Sequence, residues 1–274
     1  MTEHPSLQPY IAAWTQSIEA ISELVSSLVE GEWNRPTERT GWSVRDIVSH
    51  VIGDECEALG DPRPIHSLPR DLYHVVDETT RYLEVQVDVR RHHTGPEMTG
   101  ELEYTIIRRM RQIRNERRGP DDLVTHPLHG KLPLTAFMAQ RVFSVWTHEQ
   151  DLRRALGQPG DLASPAALVA RDVLIQRLPK TVAEDAGAPK KSAVVFDISG
   201  PVEFLRTVRV DENGQGSVDG SPSLGPVVTF TSDWETWSRV ASGRVRARRV
   251  ADKLKIEGDT ELAGRILAAF PVAY

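Results

Sequence analysis

The spacing of apolar residues changes once along this chain, near residue 159, and this change constrains the fold more than any other feature. Up to residue 156, apolar residues recur every three or four positions, which is the period of an amphipathic helix. Beyond one more helical segment at about 165–178, short runs rich in β-branched and aromatic residues appear for the first time. The sequence therefore predicts a helical domain over residues 1–158 and a smaller α+β domain over residues 159–274.

The first domain is predicted to be a helical bundle. Ser43 is a favourable N-cap, and Asp46 can complete a capping box with it, so a helix should begin near Val44. The segments 61–70 and 119–133 contain proline or glycine and are expected to be loops. The predicted helices cover residues 9–28, 44 onward, 72–91, 96–118 and 134–156.

The second domain is predicted to combine a sheet with helices. Asn213-Gly214 is a strong signal for a tight hairpin turn, so the strand before it should pair with residues 216–218. The predicted strands cover residues 193–198, 204–210, 216–218, 227–231 and 255–256. The helix at 165–178 is followed by predicted helices at 233–241 and 260–269.

Two stretches each place one histidine inside an amphipathic helical pattern: GWSVRDIVSH at 41–50 and RVFSVWTHEQD at 141–151. A neutral imidazole on a rigid helix is a good metal ligand, and two packed helices can hold one ion with positions left open. The alternative is that His50 and His148 fill helix interfaces, hydrogen-bonded and inert. The matched contexts favour a metal site, as do the polar residues one turn away, which are Asp46, Asp54, Ser144 and Asp151.

The charge of the chain argues against nucleic-acid binding. The formal net charge is −6 and the sequence pI is about 5.9, so there is no basic excess to neutralise phosphates. Arginine-rich runs occur at 90–93, 108–114 and 244–249. We interpret them as solvated helix faces, unless one or two of the arginines hold a carboxylate in a cleft.

Cys56 is the only cysteine, so a disulfide within the chain is excluded. We expect its thiol to be a buried, small apolar group and not a nucleophile. The first five residues lack the features of a signal peptide, and no apolar stretch approaches membrane-spanning length. These features predict a soluble cytoplasmic protein without a membrane partner.

Several segments resemble one known family. Residues 33–37 (WNRPT) and 41–51 (GWSVRDIVSHV) resemble the opening of the mycothiol-dependent maleylpyruvate isomerase family, and residues 145–157 (VWTHEQDLRRALG) resemble its second metal-site helix. Residues 241–244 (ASGR) and 257–263 (EGDTELA) resemble the sterol-carrier-type domain often attached to it. The resemblance implies an α+β protein, with a DinB-like four-helix bundle followed by a smaller sterol-carrier-like domain.

The resemblance also implies a metal site. Its ligands would be His50, His148 and a third residue one turn before His148, which in this sequence is Ser144. A serine hydroxyl is a poor ligand for zinc, the expected metal, so the site should be weakened or completed by water. Asp151 could orient the imidazole of His148, and Asp54 could reach the ion if the two helices lie close together.

The activity implied by the resemblance is that of a thiol-dependent isomerase or S-transferase. A metal on the two histidines would bind the thiol of mycothiol and favour its thiolate, which adds to an electrophilic double bond. Arg244 is the first choice to hold the carboxylate of a small-molecule substrate, and Arg239 the second. A homodimer is expected because DinB-like bundles often pair.

A second hypothesis belongs to another class of function. The chain could be a non-catalytic binder of a small molecule or lipid-like ligand, with its metal site eroded at Ser144. Its ligand would lie in an apolar cleft between the two domains, a common location for such pockets.

Overall fold

A computed structural model describes residues 5–270 of the 274-residue chain. The chain divides into two compact units, one ending at Asp161 and the other beginning at Leu162. The predicted α+β fold class is confirmed, because an N-terminal helical unit is followed by a unit of sheet and helices.

The N-terminal unit is a bundle of four long helices with one shorter helix packed against it, counted over residues 5–161. α1 packs against α4 and α5, while α2 packs against α4, α5 and the short α3. Trp14 and Ile18 of α1 and Ile47 of α2 are fully buried in its core. The helices are α1 (Gln8–Ser26), α2 (Val44–Leu59), α3 (Glu78–Asp88), α4 (Gly95–Arg114) and α5 (Leu134–Leu156).

The ends of α2 and α5 are set by local sequence signals. The Ser43 Oγ accepts from the backbone N–H of Asp46 at 3.3 Å, and the Asp46 carboxylate accepts from the backbone N–H of Ser43 at 2.8 Å. This is the predicted capping box, and α2 begins at Val44 as expected. α5 ends before Gly157, whose φ of 69° is a left-handed conformation that favours glycine.

Two predictions about this unit were wrong in detail. Residues 119–133 are not entirely loop, because β1 (Leu123–His126) pairs with β2 (Gly130–Pro133) in an antiparallel hairpin. Each strand has only four residues, too few for an alternating pattern to stand out from the surrounding glycine, proline and histidine. The helix predicted over residues 72–91 is shorter in the structure, where α3 spans only Glu78–Asp88. It begins after Asp77, whose carboxylate accepts from the backbone N–H of Thr80 and so caps the start of the helix.

The C-terminal unit is built on a five-stranded sheet, counted over residues 162–270, with the strand order β5-β4-β3-β6-β7. β3 and β6 are parallel, and the other neighbouring strands are antiparallel. Its elements are α6 (Pro165–Lys180), β3 (Ser192–Ser199), β4 (Phe204–Val210), β5 (Gly216–Asp219), β6 (Val228–Asp233), α7 (Trp234–Ala241), β7 (Leu254–Gly258) and α8 (Thr260–Ala269).

An aromatic cluster forms the centre of this second core. Phe196 of β3 stacks on Phe230 of β6 with ring centroids 5.2 Å apart. Trp237 of α7 meets Phe196 edge-on at 5.3 Å and contacts Phe270 at the same distance. Such ring pairs add to the free energy gained from burying their apolar area.

Across residues 5–270, every helix is too short or too polar to cross a bilayer.

Candidate functional site

His50 and His148 face each other inside the helical bundle. His50 lies two turns into α2 and His148 lies in the second half of α5. Their ring centroids are 4.8 Å apart and the rings are nearly perpendicular, at 79°. Both side chains are 1% exposed, so the two helices bring a pair of imidazoles into a dry environment.

The imidazole of His50 is held in a neutral form. Burial lowers the pKa of His50 to about 3, although the nearby Asp54 carboxylate acts in the opposite direction. Neither ring nitrogen of His50 has a hydrogen-bond partner among residues 5–270. A buried, neutral imidazole with both nitrogens unsatisfied is suited to binding a ligand, because it otherwise carries the cost of lost hydration.

The imidazole of His148 is oriented by a carboxylate. Its Nδ1 lies 3.2 Å from the Oδ2 of Asp151, whose Oδ1 accepts from Arg154 at 3.1 Å. An ionised carboxylate can only accept, so this contact requires a proton on the Nδ1 of His148, and in the neutral imidazole the lone pair then lies on Nε2. This is the arrangement by which a carboxylate fixes the tautomer of a metal-binding histidine.

A buried ionic network lies beside His50. Arg141 of α5 donates from Nη1 to Asp54 at 2.7 Å and from Nη2 to Glu55 at 2.6 Å. Glu55 also accepts from Trp14 of α1 at 3.1 Å and from Arg109 of α4 at 2.9 Å. Burial opposes ionisation of Asp54, but the nearby His50 and Arg141 lower its pKa to about 2. Ionised side chains from α2, α4 and α5, together with the indole from α1, thus meet next to the histidine pair.

Trp42 covers both histidines. Its ring centroid lies 5.0 Å from that of His50 and 6.5 Å from that of His148. The indole Nε1 donates to Glu84 of α3 at 2.9 Å, and His74 bonds the same carboxylate oxygen at 2.9 Å. Glu84 is 1% exposed, so a buried carboxylate fixes the ring that shields the site from water.

Ser144 lies one turn before His148 on α5. Its Oγ is buried and has no hydrogen-bond partner among the described residues. A hydroxyl here adds no negative charge to the histidine pair.

Cys56 is half-buried, not fully buried as the sequence suggested. Burial raises the pKa of its thiol, and Sγ lies 3.9 Å from the Oγ1 of Thr105. A raised pKa disfavours the reactive thiolate.

Arg239 and Arg244 lie in the C-terminal unit, at the end of α7 and just after it. Gly243, with a φ of 74°, turns the chain so that the backbone N–H of Arg244 donates to the carbonyl of Arg239 at 2.8 Å. Arg244 is 7% exposed, and its side chain donates to the carbonyl of Ser242 at 3.2 Å. The structure thus brings these two arginines close to each other within one turn.

Comparison with known families shows the family to which the chain belongs. A sequence model described as the mycothiol maleylpyruvate isomerase N-terminal domain matches residues 14–153, just over half of the chain. The chain belongs to the mycothiol maleylpyruvate isomerase N-terminal domain family. A second model, described as the SCP-2 sterol transfer family, matches residues 174–270. The family resemblance of the two histidine stretches is therefore confirmed.

Solved structures show the same architecture as this mycothiol maleylpyruvate isomerase family member. The crystal structure of a mycothiol-dependent maleylpyruvate isomerase matches with a TM-score of 0.60 and 14% identity, covering 92% of each chain. A histidine-to-alanine mutant of that enzyme matches with a TM-score of 0.59 and the same identity and coverage. At 14% sequence identity, this similarity shows a shared fold alone. A comparison with curated protein sequences gave no significant match.

The donor atoms of this family member fit a divalent metal only in part. His50 and His148 supply two imidazoles, of which burial holds His50 neutral, whereas a catalytic zinc usually has three protein ligands and one open position. Among residues 5–270, no group of three histidine, cysteine, aspartate or glutamate side chains could hold a metal ion. The chain therefore supplies two imidazoles for a metal, and Ser144 does not add a strong third ligand to them.

Sequence reasoning missed most of the groups around the histidines. Arg141 precedes His148 by seven residues, or two helical turns, so its place on the same face of α5 could have been inferred from spacing. The pairing of Arg141 with Glu55, 86 residues apart, has no local signal.

Proposed function

We propose that the chain is a metal-dependent isomerase or S-transferase that uses mycothiol, or a related low-molecular-weight thiol, on a small electrophilic substrate. One observation carries the proposal: two buried imidazoles, 4.8 Å apart, face each other from α2 and α5. Membership in the mycothiol maleylpyruvate isomerase family supports the thiol and the isomerase class.

His50 and His148 are the proposed metal ligands, and zinc is the expected ion. When bound, the metal would lower the pKa of the cofactor thiol and so favour its nucleophilic thiolate. Burial keeps His50 neutral, and Asp151 holds His148 in the tautomer that presents Nε2. Trp42 excludes water from the pair, which strengthens every electrostatic interaction inside the site.

Arg244, with Arg239 as the second choice, stays the proposed partner of the substrate carboxylate, because a guanidinium binds a carboxylate through two parallel hydrogen bonds. We also propose a cytoplasmic location and a homodimer. Light scattering on the purified protein would test the dimer.

Metal analysis of protein purified without chelators or metal-affinity resin tests the proposal. We expect close to one divalent ion per chain, and we expect a His50→Ala/His148→Ala variant to lose it. A His126→Ala/His129→Ala variant is the matched control, since it removes a different close pair of imidazoles, 4.5 Å apart near the β1–β2 hairpin. An absence of metal in the parent after zinc is added back, or equal loss in the control, would contradict the proposal.

A second candidate function is the binding of a lipid-like or other small molecule without catalysis. The match of residues 174–270 to the SCP-2 sterol transfer family favours it, as does serine at position 144. Native mass spectrometry followed by solvent extraction would reveal a co-purified apolar ligand. Such a ligand in metal-free protein would favour this function over the enzyme.

A further inference from the structure

We propose that the exposed face of α4 is the surface on which a second copy of this chain packs, with the two α4 helices antiparallel. The inference goes beyond the proposed activity, and it names the surface through which the proposed homodimer forms. The residues of this face recur at alternating spacings of three and four positions. We call them the α4 seam: Glu97, Gly100, Tyr104, Ile107, Arg111 and Arg114.

The α4 seam faces away from the core of the bundle. All six of its residues are exposed, and on a regular helix their spacing places them in a stripe about 100° wide. The buried residues of α4, such as Leu102, Ile106 and Arg109, lie on the opposite side of the helix. Since α4 packs against α1 and α2 with that buried side, a second copy can cover the seam without displacing the bundle.

The centre of the α4 seam is apolar. Tyr104 and Ile107 are 62% and 65% exposed and lie near the middle of the 20-residue helix. The alternating spacing is that of the a and d positions of a coiled coil, where the side chains of two helices interlock. A two-fold axis between antiparallel helices sets Tyr104 of each copy against Ile107 of the other. Covering these side chains removes apolar area from water, which favours association.

The same axis sets Gly100 opposite Arg111 of the second copy. A Cβ placed on Gly100 would meet no atom within 4 Å, so the space above this position is open. The apolar stem of Arg111 can lie across that space while its guanidinium stays in water. The glycine therefore leaves room for a long side chain where the two helices approach each other.

The two ends of the α4 seam carry opposite charges. Glu97, near the start of α4, lies opposite Arg114 of the second copy in the antiparallel register. Its Oε2 accepts from the backbone N–H and the hydroxyl of Thr94 at 2.7 and 2.8 Å, which leaves Oε1 for Arg114. Parallel helices would set like charges side by side, so the pattern specifies the antiparallel orientation. The helix dipole also favours these signs at the two ends, but it gives no reason for the exposed apolar centre.

Sedimentation velocity on the full chain over a series of concentrations tests the apolar centre. We expect the parent to dimerise and Ile107→Glu to weaken the dimer by about tenfold or more, because the change puts two carboxylates in the middle of the interface. The matched control is Ile65→Glu, the same substitution at a fully exposed position outside α4. Its dimer should be as strong as that of the parent.

A charge exchange tests the register and separates it from structural damage. Arg114→Glu and Glu97→Arg each place like charges opposite each other in their own homodimer, so each variant alone should dimerise more weakly than the parent. Mixed together, the two variants regain two attractive pairs, and we expect them to form a heterodimer. Circular dichroism of each variant checks that α4 stays helical.

The outcomes separate the surface from the dimer itself. An effect of Ile65→Glu as large as that of Ile107→Glu, an unweakened Ile107→Glu dimer, or no heterodimer from the mixed variants would each overturn the α4 interface and leave the homodimer standing. A parent that is monomeric at every concentration would overturn both.

Discussion

Glu149 is a buried acid whose charge state depends on its surroundings. Burial raises its pKa to about 7, although Ser17 and Arg153 donate to it at 2.5 and 2.7 Å. The folded state therefore holds this proton more tightly than the unfolded state does. The resulting stabilisation is complete below about pH 4.5 and is lost as the pH rises through about 7.

We expect Glu149→Gln to remove this dependence and flatten stability between pH 5 and 8, where the parent should lose on the order of 2–3 kcal/mol. Urea unfolding at both pH values measures the difference. Glu23→Gln, at an exposed position of α1, is the control and should keep the slope of the parent. A parent whose stability does not fall over this range would show the expectation to be wrong.

At the same scale, the sequence predicted the chemically important histidines but not their environment. His50 and His148 stand out because each interrupts a regular apolar pattern. Glu84 bonds Trp42 across 42 positions, and such a pairing depends on how the helices pack. A single sequence contains no periodic signal for it.

At the scale of elements, the turn that leads into α2 fixes the tryptophan over the histidines. Gly41 has a φ of 84°, and a Cβ placed there would lie 2.4 Å from the Cγ of His74. His74 in turn bonds Glu84, the partner of Trp42. The absence of a side chain at position 41 therefore allows the network to close.

We expect Gly41→Ala to destabilise the protein by at least about 1 kcal/mol more than Gly60→Ala does. Gly60 has almost the same φ, 85°, but a methyl group added there would meet no atom within 4 Å, so its substitution carries only the backbone strain. Urea unfolding followed by tryptophan fluorescence gives the comparison. Equal losses would show that the contact with His74 does not matter.

The elements themselves were predicted best where their ends carry a chemical signal. α5 begins after Pro133 and ends before Gly157, and its predicted range of 134–156 is the observed one. The β1–β2 hairpin was missed, since its pairing depends on Val124 packing against the rest of the unit, where it is 6% exposed. Tertiary packing decided the structure of that segment.

At the scale of the whole molecule, each unit has a core of its own, and both proposed metal ligands, His50 and His148, lie in residues 5–161. We expect zinc at a hundredfold excess over its Kd to raise the free energy of unfolding of the N-terminal unit by about 2.7 kcal/mol. The unfolding temperature of that unit should rise accordingly. Calorimetry of the parent and of the His50→Ala/His148→Ala variant, with and without zinc, measures the shift. A shift of the same size in the variant would contradict the expectation.

The ionic network around Arg141 also bears on how such a protein can change over generations. Glu55 binds together groups from α1, α4 and α5 with no help from a metal ion. The bundle therefore has its own means of holding these helices in place. A lineage with this architecture can therefore change single residues beside the histidine pair, such as the one at position 144, while the helices keep their arrangement.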